Sequence, residues 1–425
     1  MSSWRFFFSC LPSEHNALID PGEAPLVLGR ICRHWREVVY SAPMLWSSIH
    51  IPSLDYSKTP ANILSGFKRN IAAWLERSIP CPLSVSFLDQ SFYEPVHGEH
   101  PLITQLLPLS RRLRHLELAG NAQFFLPLLR LGSEDLPLLK RLWIRSNRGH
   151  LALDCINAFQ IPTLEDVTLR VSTSVDPPSF PFRWSQLRRL CLQCFSVWTD
   201  DGSEGGLDLR AALDVLRLCP SLVHCEIRVT KGSVSDPTSG VPPIILPHLE
   251  TLVLNQYAFH NWILDVPKLR CLRVGNAWDL KASNLAPHGS LSADIDPHSL
   301  ASPDGLGGIL QAFPTISHLR LSSATGLVSQ DHFALFGPPH DLCPKLTHFT
   351  AISPSETFSD AAVLAFIKAR MAIPTPLQQF RVRFDRPREV DIMPELETFI
   401  ADGLRVALEY PPPQWNFDAR EGLPP

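Results

Sequence analysis

The nearest approach to a metal-binding pair in this sequence is CLQC, which sets Cys191 and Cys194 three residues apart. A zinc site needs four ligands, and neither a second cysteine pair nor a suitably spaced histidine pair accompanies it. On a strand, Cys191 would also point away from the side that Leu192 takes. The glycine-rich DGLGGIL lacks the strand, lysine and serine of a phosphate-binding loop and reads as a turn. No GxSxG, HExxH or kinase-like set occurs. The sixteen histidines are dispersed, and His115, His224, His318 and His348 recur at one position of a repeated phrase, which points to architecture. We therefore expect no catalytic residue, no metal, no cofactor and no enzyme.

What remains with chemical potential is arginine. The three places of each phrase that flank its inward apolar pair hold Arg141, Arg145, Arg170, Arg189, Arg228, Arg273, Arg320, Arg381 and Arg383, and Trp143 joins them. Acids take only Glu117, Asp166 and Glu226. Guanidinium forks match carboxylates and phosphates, and a tryptophan adds a stacking surface or an apolar anchor. The expected ligand is an acidic or phosphorylated segment of a protein, held by Trp143, Arg145, Arg170, Arg228, Arg273, Arg320 and Arg381.

These positions are set by a phrase that returns ten times: an anchor aliphatic residue, two variable residues, an apolar residue, a variable one and another apolar one. Its anchors are Leu113, Leu139, Leu164, Leu187, Leu222, Leu249, Leu269, Ile316, Leu346 and Leu377, as in LPLLKRLWI, CPSLVHCEI and VPKLRCLRV. Most successive anchors lie 20 to 31 residues apart, with steps of 35 after Leu187 and 47 after Leu269. The alternating apolar pair predicts a short strand with an inward face, and the proline before most anchors predicts extended backbone leading into it. One such unit cannot bury its face alone, so stacked units must share a parallel sheet and a common core. The other residues of each strand then form the opposite, concave surface.

Connectors supply the outer layer. DLRAALDVLRLCP predicts a helix burying Leu209, Ala212, Leu213, Leu216 and Leu218, while the other connectors read as too short or too proline-rich for a full helix. Residues 281–305, rich in Ser, Pro, Gly and Asp without apolar period, read as a loop or a degenerate repeat.

The chain has 425 residues, 45% hydrophobic and 19% charged, with a net charge of -4. That size favours several domains or a repeat array, and that charge gives no overall attraction to nucleic acid or membrane. Forty prolines against 21 glycines suit regular punctuation between short elements. The apolar run near the N-terminus is too short for a signal sequence, and no stretch approaches the ~18 apolar residues of a span. An intracellular protein, cytoplasmic or nuclear, is expected, with its ten cysteines as reduced thiols.

At the N-terminus, LVLGRICRHWREVV places Leu28, Ile31, Cys32, Trp35, Val38 and Val39 on one side of a predicted helix, which Pro43 must end. The alternation of SSIHI follows, then a helix carrying Leu64, Phe67, Ile71, Trp74 and Leu75, and an opening strand with Leu83, Val85 and Phe87. The run APLVLGRICRHWREVVYSAPMLWSSIHI closely resembles the second half of an F-box as found in large fungal F-box families, and FFFSCLP resembles the middle of those boxes. F-boxes open with a Leu-Pro-x-Glu stretch that MSSWRFFF lacks, so the resemblance is to a box incomplete in its first helix.

The repeats resemble irregular leucine-rich repeats. Together the resemblances imply an α/β leucine-rich-repeat solenoid with a parallel sheet on its concave face, preceded by a small all-helical F-box-like module. The implied division is 1–52 for that module, 53–99 for a bridging helix and strand, 100–385 for the solenoid and 386–425 for a C-terminal cap and tail. They also imply a substrate receptor of an SCF-type ubiquitin ligase, docking on a Skp-type adaptor of the cullin complex and holding a target protein with the repeats. Leu28, Ile31, Cys32, Trp35, Pro43, Leu45 and Trp46 are the expected docking or module-core residues. The other reading is a free-standing repeat scaffold without ligase docking.

Overall fold

The computed structural model of the chain describes residues 4–52, 54, 59–89, 100–148, 156–199, 202–231, 242–255, 263–275, 289–296, 303–322, 333, 335–336, 342–352 and 359–411. The fold is α/β with extensive parallel sheet. By compactness the chain divides into Met1–Asp236 and Pro237–Pro425.

In the first unit the sheet runs through β1 (Ser48–Ile51), β2 (Leu83–Leu88), β3 (Leu113–Asn121), β4 (Arg141–Arg148), β5 (Asp166–Ser172), β6 (Arg189–Phe195) and β9 (His224–Arg228), all parallel and in chain order. Between β6 and β9 an antiparallel hairpin is inserted, β7 (Val197–Thr199) with β8 (Gly202–Glu204), and it accounts for the long step after Leu187.

In the second unit β10 (Ile244–Ile245) pairs with β12 (Leu264–Asp265). The main sheet there comprises β11 (Thr251–Asn255), β13 (Cys271–Gly275), β14 (Leu291–Ile295), β15 (Ile316–Ser322), β16 (His348–Ile352), β17 (Gln379–Arg383) and β18 (Arg405–Glu409), again parallel.

All ten phrases run into a strand, and alternation chooses the faces. In β5, Val167, Leu169 and Val171 are buried while Asp166, Thr168 and Arg170 are half-exposed. The proline has a different role from the expected one. The anchor N–H of Leu139, Leu164, Leu249, Leu269, Ile316 and Leu346 donates to the carbonyl three residues earlier, that of Leu136, Ile161, Leu246, Val266, Phe313 and Cys343, at 3.0 to 3.2 Å. Pro137, Pro162, Pro247, Pro267, Pro314 and Pro344 thus stand second in a four-residue turn, where a fixed φ near −65° is already correct. The residue before each proline is buried, so one turn pins both a core side chain and the strand start.

Helices cover part of the buried side. Asp208 caps Leu209–Leu218 by accepting from the Ala211 N–H at 2.7 Å, and the helix buries Leu209, Ala212, Leu213, Val215 and Leu216. Leu218, expected inside, is exposed at the helix end, and Val215 takes the place instead. The expectation that other connectors hold no full helix is also corrected: Ala122–Leu129, Pro303–Ala312, Asp360–Met371 and Met393–Ala401 are helical. DGLGGIL lies within Pro303–Ala312, where Leu306, Ile309 and Leu310 are buried; their helical spacing outweighs the glycine cost. Where a connector is proline-rich, aromatic rings fill the space, with Phe159 and Phe182 centroids 4.2 Å apart and Trp184 4.9 Å from Phe182.

The stretch 281–305 contributes β14, whose Leu291, Ala293 and Ile295 are buried, so it contains a strand without the phrase. The segment expected as a cap contributes β18, paired to β17. At the other end the sheet begins with β1, so residues 1–52 are not all helical.

Candidate functional site

The N-terminal segment is built around Trp46. Its ring is fully buried, donates its indole N–H to the Val39 carbonyl at 2.9 Å, stacks on Tyr40 and meets Trp74 edge-on at 4.8 Å. Arg77 places its guanidinium 4.9 Å from both the Tyr40 and Trp46 centroids. Asn16 Oδ1 accepts from Ser48 and Ser84 hydroxyls at 2.9 and 2.7 Å, tying the segment to β1 and β2. The single helix expected across Leu28 to Val39 is instead two pieces, Leu28–Ile31 and Arg33–Tyr40. Cys32 between them is extended, and its sulfur accepts from the Trp35 N–H as the cap of the second piece.

That break divides the expected docking residues. Leu28, Leu45 and Trp46 are buried and serve the core; Pro43 is partly exposed. Trp35 is half-buried against the Phe6 and Phe7 rings. Ile31 and Cys32 face solvent, and Phe6, Tyr40 and Met44 are exposed as well. Among its described residues this segment thus carries four large exposed apolar side chains: Phe6, Ile31, Tyr40 and Met44.

On the sheet, register sorts the polar side chains into columns. In the first unit His115, Arg141, Asp166, Arg189 and His224 succeed one another, and beside them run Glu117, Trp143, Thr168, Cys191 and Glu226. In the second unit the first column includes Cys271, Ser292, His318, His348, Gln379 and Arg405, and the next Arg273, Asp294, Arg320, Thr350 and Arg381. The recurring histidine position is therefore architectural, and the His318 and His348 rings stack with centroids 4.0 Å apart.

The arginine stripe is largely answered from within. Arg141 Nε donates to Asp166 Oδ2 at 2.8 Å, with Arg189 3.7 Å from the same oxygen. Arg170 lies 3.6 Å from Glu226, Arg273 donates to Asp294 at 3.1 Å, and Arg381 Nε donates to Glu409 at 2.9 Å. Arg228 lies over the Phe195 ring at 5.4 Å. Among the described residues Arg145, Arg320 and Arg383 have no ion pair. Asp294 and Glu409 escaped the sequence reading because their strands lack the phrase.

No protein-family model matches the chain, and no curated protein matches it.

At the strand starts, one position ahead of the arginine columns, the first unit has a cleft of about 360 Å³. Arg114, Lys140, Arg141, Arg188 and Arg189 line it against Glu165 and Asp166, a local positive excess in a chain of net charge -4. Lys140 pairs with Glu165 at 3.0 Å. Burial lowers the His115 pKa, and Arg141, Arg114 and Lys140 push it the same way, so the ring adds no charge at neutral pH. The signal for this row was in the sequence, at the residue after each anchor.

Cys191 and Cys194 are both buried, and burial pushes both thiols up to about 12. Among the described residues no three His, Cys, Asp or Glu side chains converge as a metal site. No helix among them is long and apolar enough to cross a membrane.

Proposed function

We propose that this chain is a non-enzymatic adaptor made of leucine-rich repeats behind an F-box-like segment. The segment docks on a Skp-type adaptor of an SCF-type ubiquitin ligase, and the repeat sheet holds a target protein with acidic or phosphorylated character. The observation that carries the docking reading is the exposure of Phe6, Ile31, Tyr40 and Met44 on a segment whose interior Trp46 already fills. Large apolar side chains left in water on one small segment mark a contact surface. The repeat reading is supported by the turn shared by six anchors and by the parallel strands that follow them.

Co-expression of the full chain with the Skp-type adaptor tests the reading. Recovery of a complex is expected, with loss in I31E/M44E, two exposed positions whose change leaves the core intact. Failure to recover the adaptor with the unaltered chain removes the ligase reading and leaves a free-standing repeat scaffold.

A further inference from the structure

The cleft at the strand starts of the first unit, about 360 Å³, is lined by five lysine and arginine side chains against two carboxylates, a positive excess of three. Backbone hydrogen bonds fix where those side chains begin. Lys140 N–H donates to the Arg114 carbonyl at 2.8 Å, Arg188 N–H to the Glu165 carbonyl at 2.8 Å and Val223 N–H to the Arg188 carbonyl at 2.8 Å. The Lys140 carbonyl accepts twice, from the Glu165 and Asp166 N–H groups at 2.9 and 3.0 Å, and the Glu165 and Arg188 carbonyls likewise accept twice each. A row rooted this firmly loses little further freedom when a ligand arrives.

The better buried carboxylate lies beneath the cations. Asp166 has 15% of its side chain exposed, against 47% for Arg141 and 52% for Arg189. Both arginines reach the same Asp166 oxygen through Nε, at 2.8 and 3.7 Å. β5 stands between their strands, so the shared oxygen draws the two guanidinium groups together above it. Their terminal nitrogens have no acceptor among the described residues. Lys140 pairs with Glu165, whereas Arg114 and Arg188 have no ion pair among the described residues. Glu117 and Glu226 stand in the next column along the strands and do not line the cleft.

A titratable group inside the cleft registers the resulting field. Burial lowers the His115 pKa, and Arg141, Arg114 and Lys140 lower it further.

Convergent guanidinium forks of this kind are complementary to a compact anion of high charge. A phosphate monoester carries about −1.5 to −2 charge at pH 7 on three acceptor oxygens, so it can engage more than one arginine at once. A carboxylate has fewer oxygens and less charge. A nucleic acid would add stacked bases, and no Phe, Tyr or Trp lines the cleft.

We propose that this cleft binds a phosphorylated side chain of a target protein, with Arg114, Arg141, Arg188 and Arg189 around the phosphate. This rests on the reading of the repeat sheet as a target-holding surface. It makes the phosphate itself, not general acidity, the feature recognised, and sets the contact at the strand starts.

The test measures retention on the immobilised full chain of three degenerate twelve-residue peptide pools, with a central phosphoserine, glutamate or serine, and of glycerol phosphate and a twelve-nucleotide single-stranded RNA. The phosphoserine pool is expected to be retained at least about tenfold over every other probe. R114E/R188E should lower that retention at least about tenfold, the scale of losing one charge-assisted hydrogen bond, and R114Q/R188Q should lower it in the same direction. R130E/R210E makes the same charge change on exposed arginines outside the cleft and should leave retention within about twofold. All these variants should melt with the parent, because the side chains are exposed and have no ion pair among the described residues. Equal retention of the glutamate pool, the serine pool, glycerol phosphate or the RNA overturns the proposal, as does an equal loss in R130E/R210E. If R114E/R188E holds the phosphoserine pool in full, the proposal falls while the target-holding reading survives elsewhere on the sheet. If no pool is retained, both fall. Retention through the cleft without recovery of the Skp-type adaptor keeps the proposal and removes the ligase reading.

Discussion

Asp360 and Arg386 form a buried ion pair at 3.0 Å, with almost no exposure of either side chain. The same carboxylate accepts from the Glu389 and Val390 N–H groups at 2.9 Å each and from the Tyr410 hydroxyl at 2.8 Å. One side chain thereby joins the start of helix Asp360–Met371 to the turn after β17 and to the residue that follows β18. D360N takes the buried carboxylate from Arg386, leaving Glu389 at 3.7 Å as an ion-pair partner, and should cost about 3 kcal/mol in denaturant unfolding. A loss below 1 kcal/mol would show that water reaches the pair.

The same group sets an acid limit. Burial by itself raises the Asp360 pKa, but hydrogen bonds from Val390, Arg386, Tyr410 and Glu389 outweigh it and hold the group below 3.8. Its contribution is therefore complete above pH 3.8 and is lost as pH falls through the lower folded value. D360N should show a smaller loss of stability than the parent across that acidic window.

At milder pH the histidines take over. Burial lowers the His348 pKa, and His318 and Arg405 lower it further. His50, His100 and His115 are lowered as well, each chiefly by burial. The unfolded chain then binds protons more readily than the folded one below pH 6.5, so stability should fall as pH drops from 6.5 toward the folded values. Denaturant midpoints at pH 7.5 and 5.5 measure it, and H348Q should flatten part of the slope.

Native alkylation reads the thiols. Cys10 and Cys32 are exposed and should react first, with Cys81 and Cys271 slower. Cys191, Cys194, Cys219 and Cys343, pushed up to about 12 by burial, and Cys225, also raised by burial, should stay unmodified until unfolding. Cys155 lies outside the described residues. Peptide mass spectrometry after brief iodoacetamide treatment gives the order.

The internal acids on the sheet can be separated from stability. Arg273–Asp294 and Arg381–Glu409 are partly exposed pairs, so D294A and E409Q should each change unfolding by less than about 1 kcal/mol. Freed of those carboxylates, the arginines should retain an acidic peptide more strongly than the parent. Unchanged retention in both variants would mean that the second unit's stripe takes no part in binding.

Much of the fold was legible because the repeated phrase is local physics. A proline turn, an anchor and an alternating apolar pair specify a strand start and an inward face within nine residues, and all ten phrases gave strands. Locality is also the limit of that legibility. β14 and β18 lack the phrase and are strands because a neighbouring edge offers hydrogen-bond partners, and with them arrive Asp294 and Glu409, which answer arginines that looked free. The N-terminal helix has uninterrupted apolar spacing, yet it breaks at Cys32, whose extended backbone lets its sulfur cap the second helical piece.

The sequence by itself therefore determined the ten strands that follow the repeated phrase and the buried face of each, since turn chemistry and side-chain period act over a few residues. Only the tertiary structure decided which arginines are paired, that Ile31 faces water, and that Arg114 and Arg188 line one cleft. Those outcomes depend on residues brought together from distant strands, and no spacing along the chain records them.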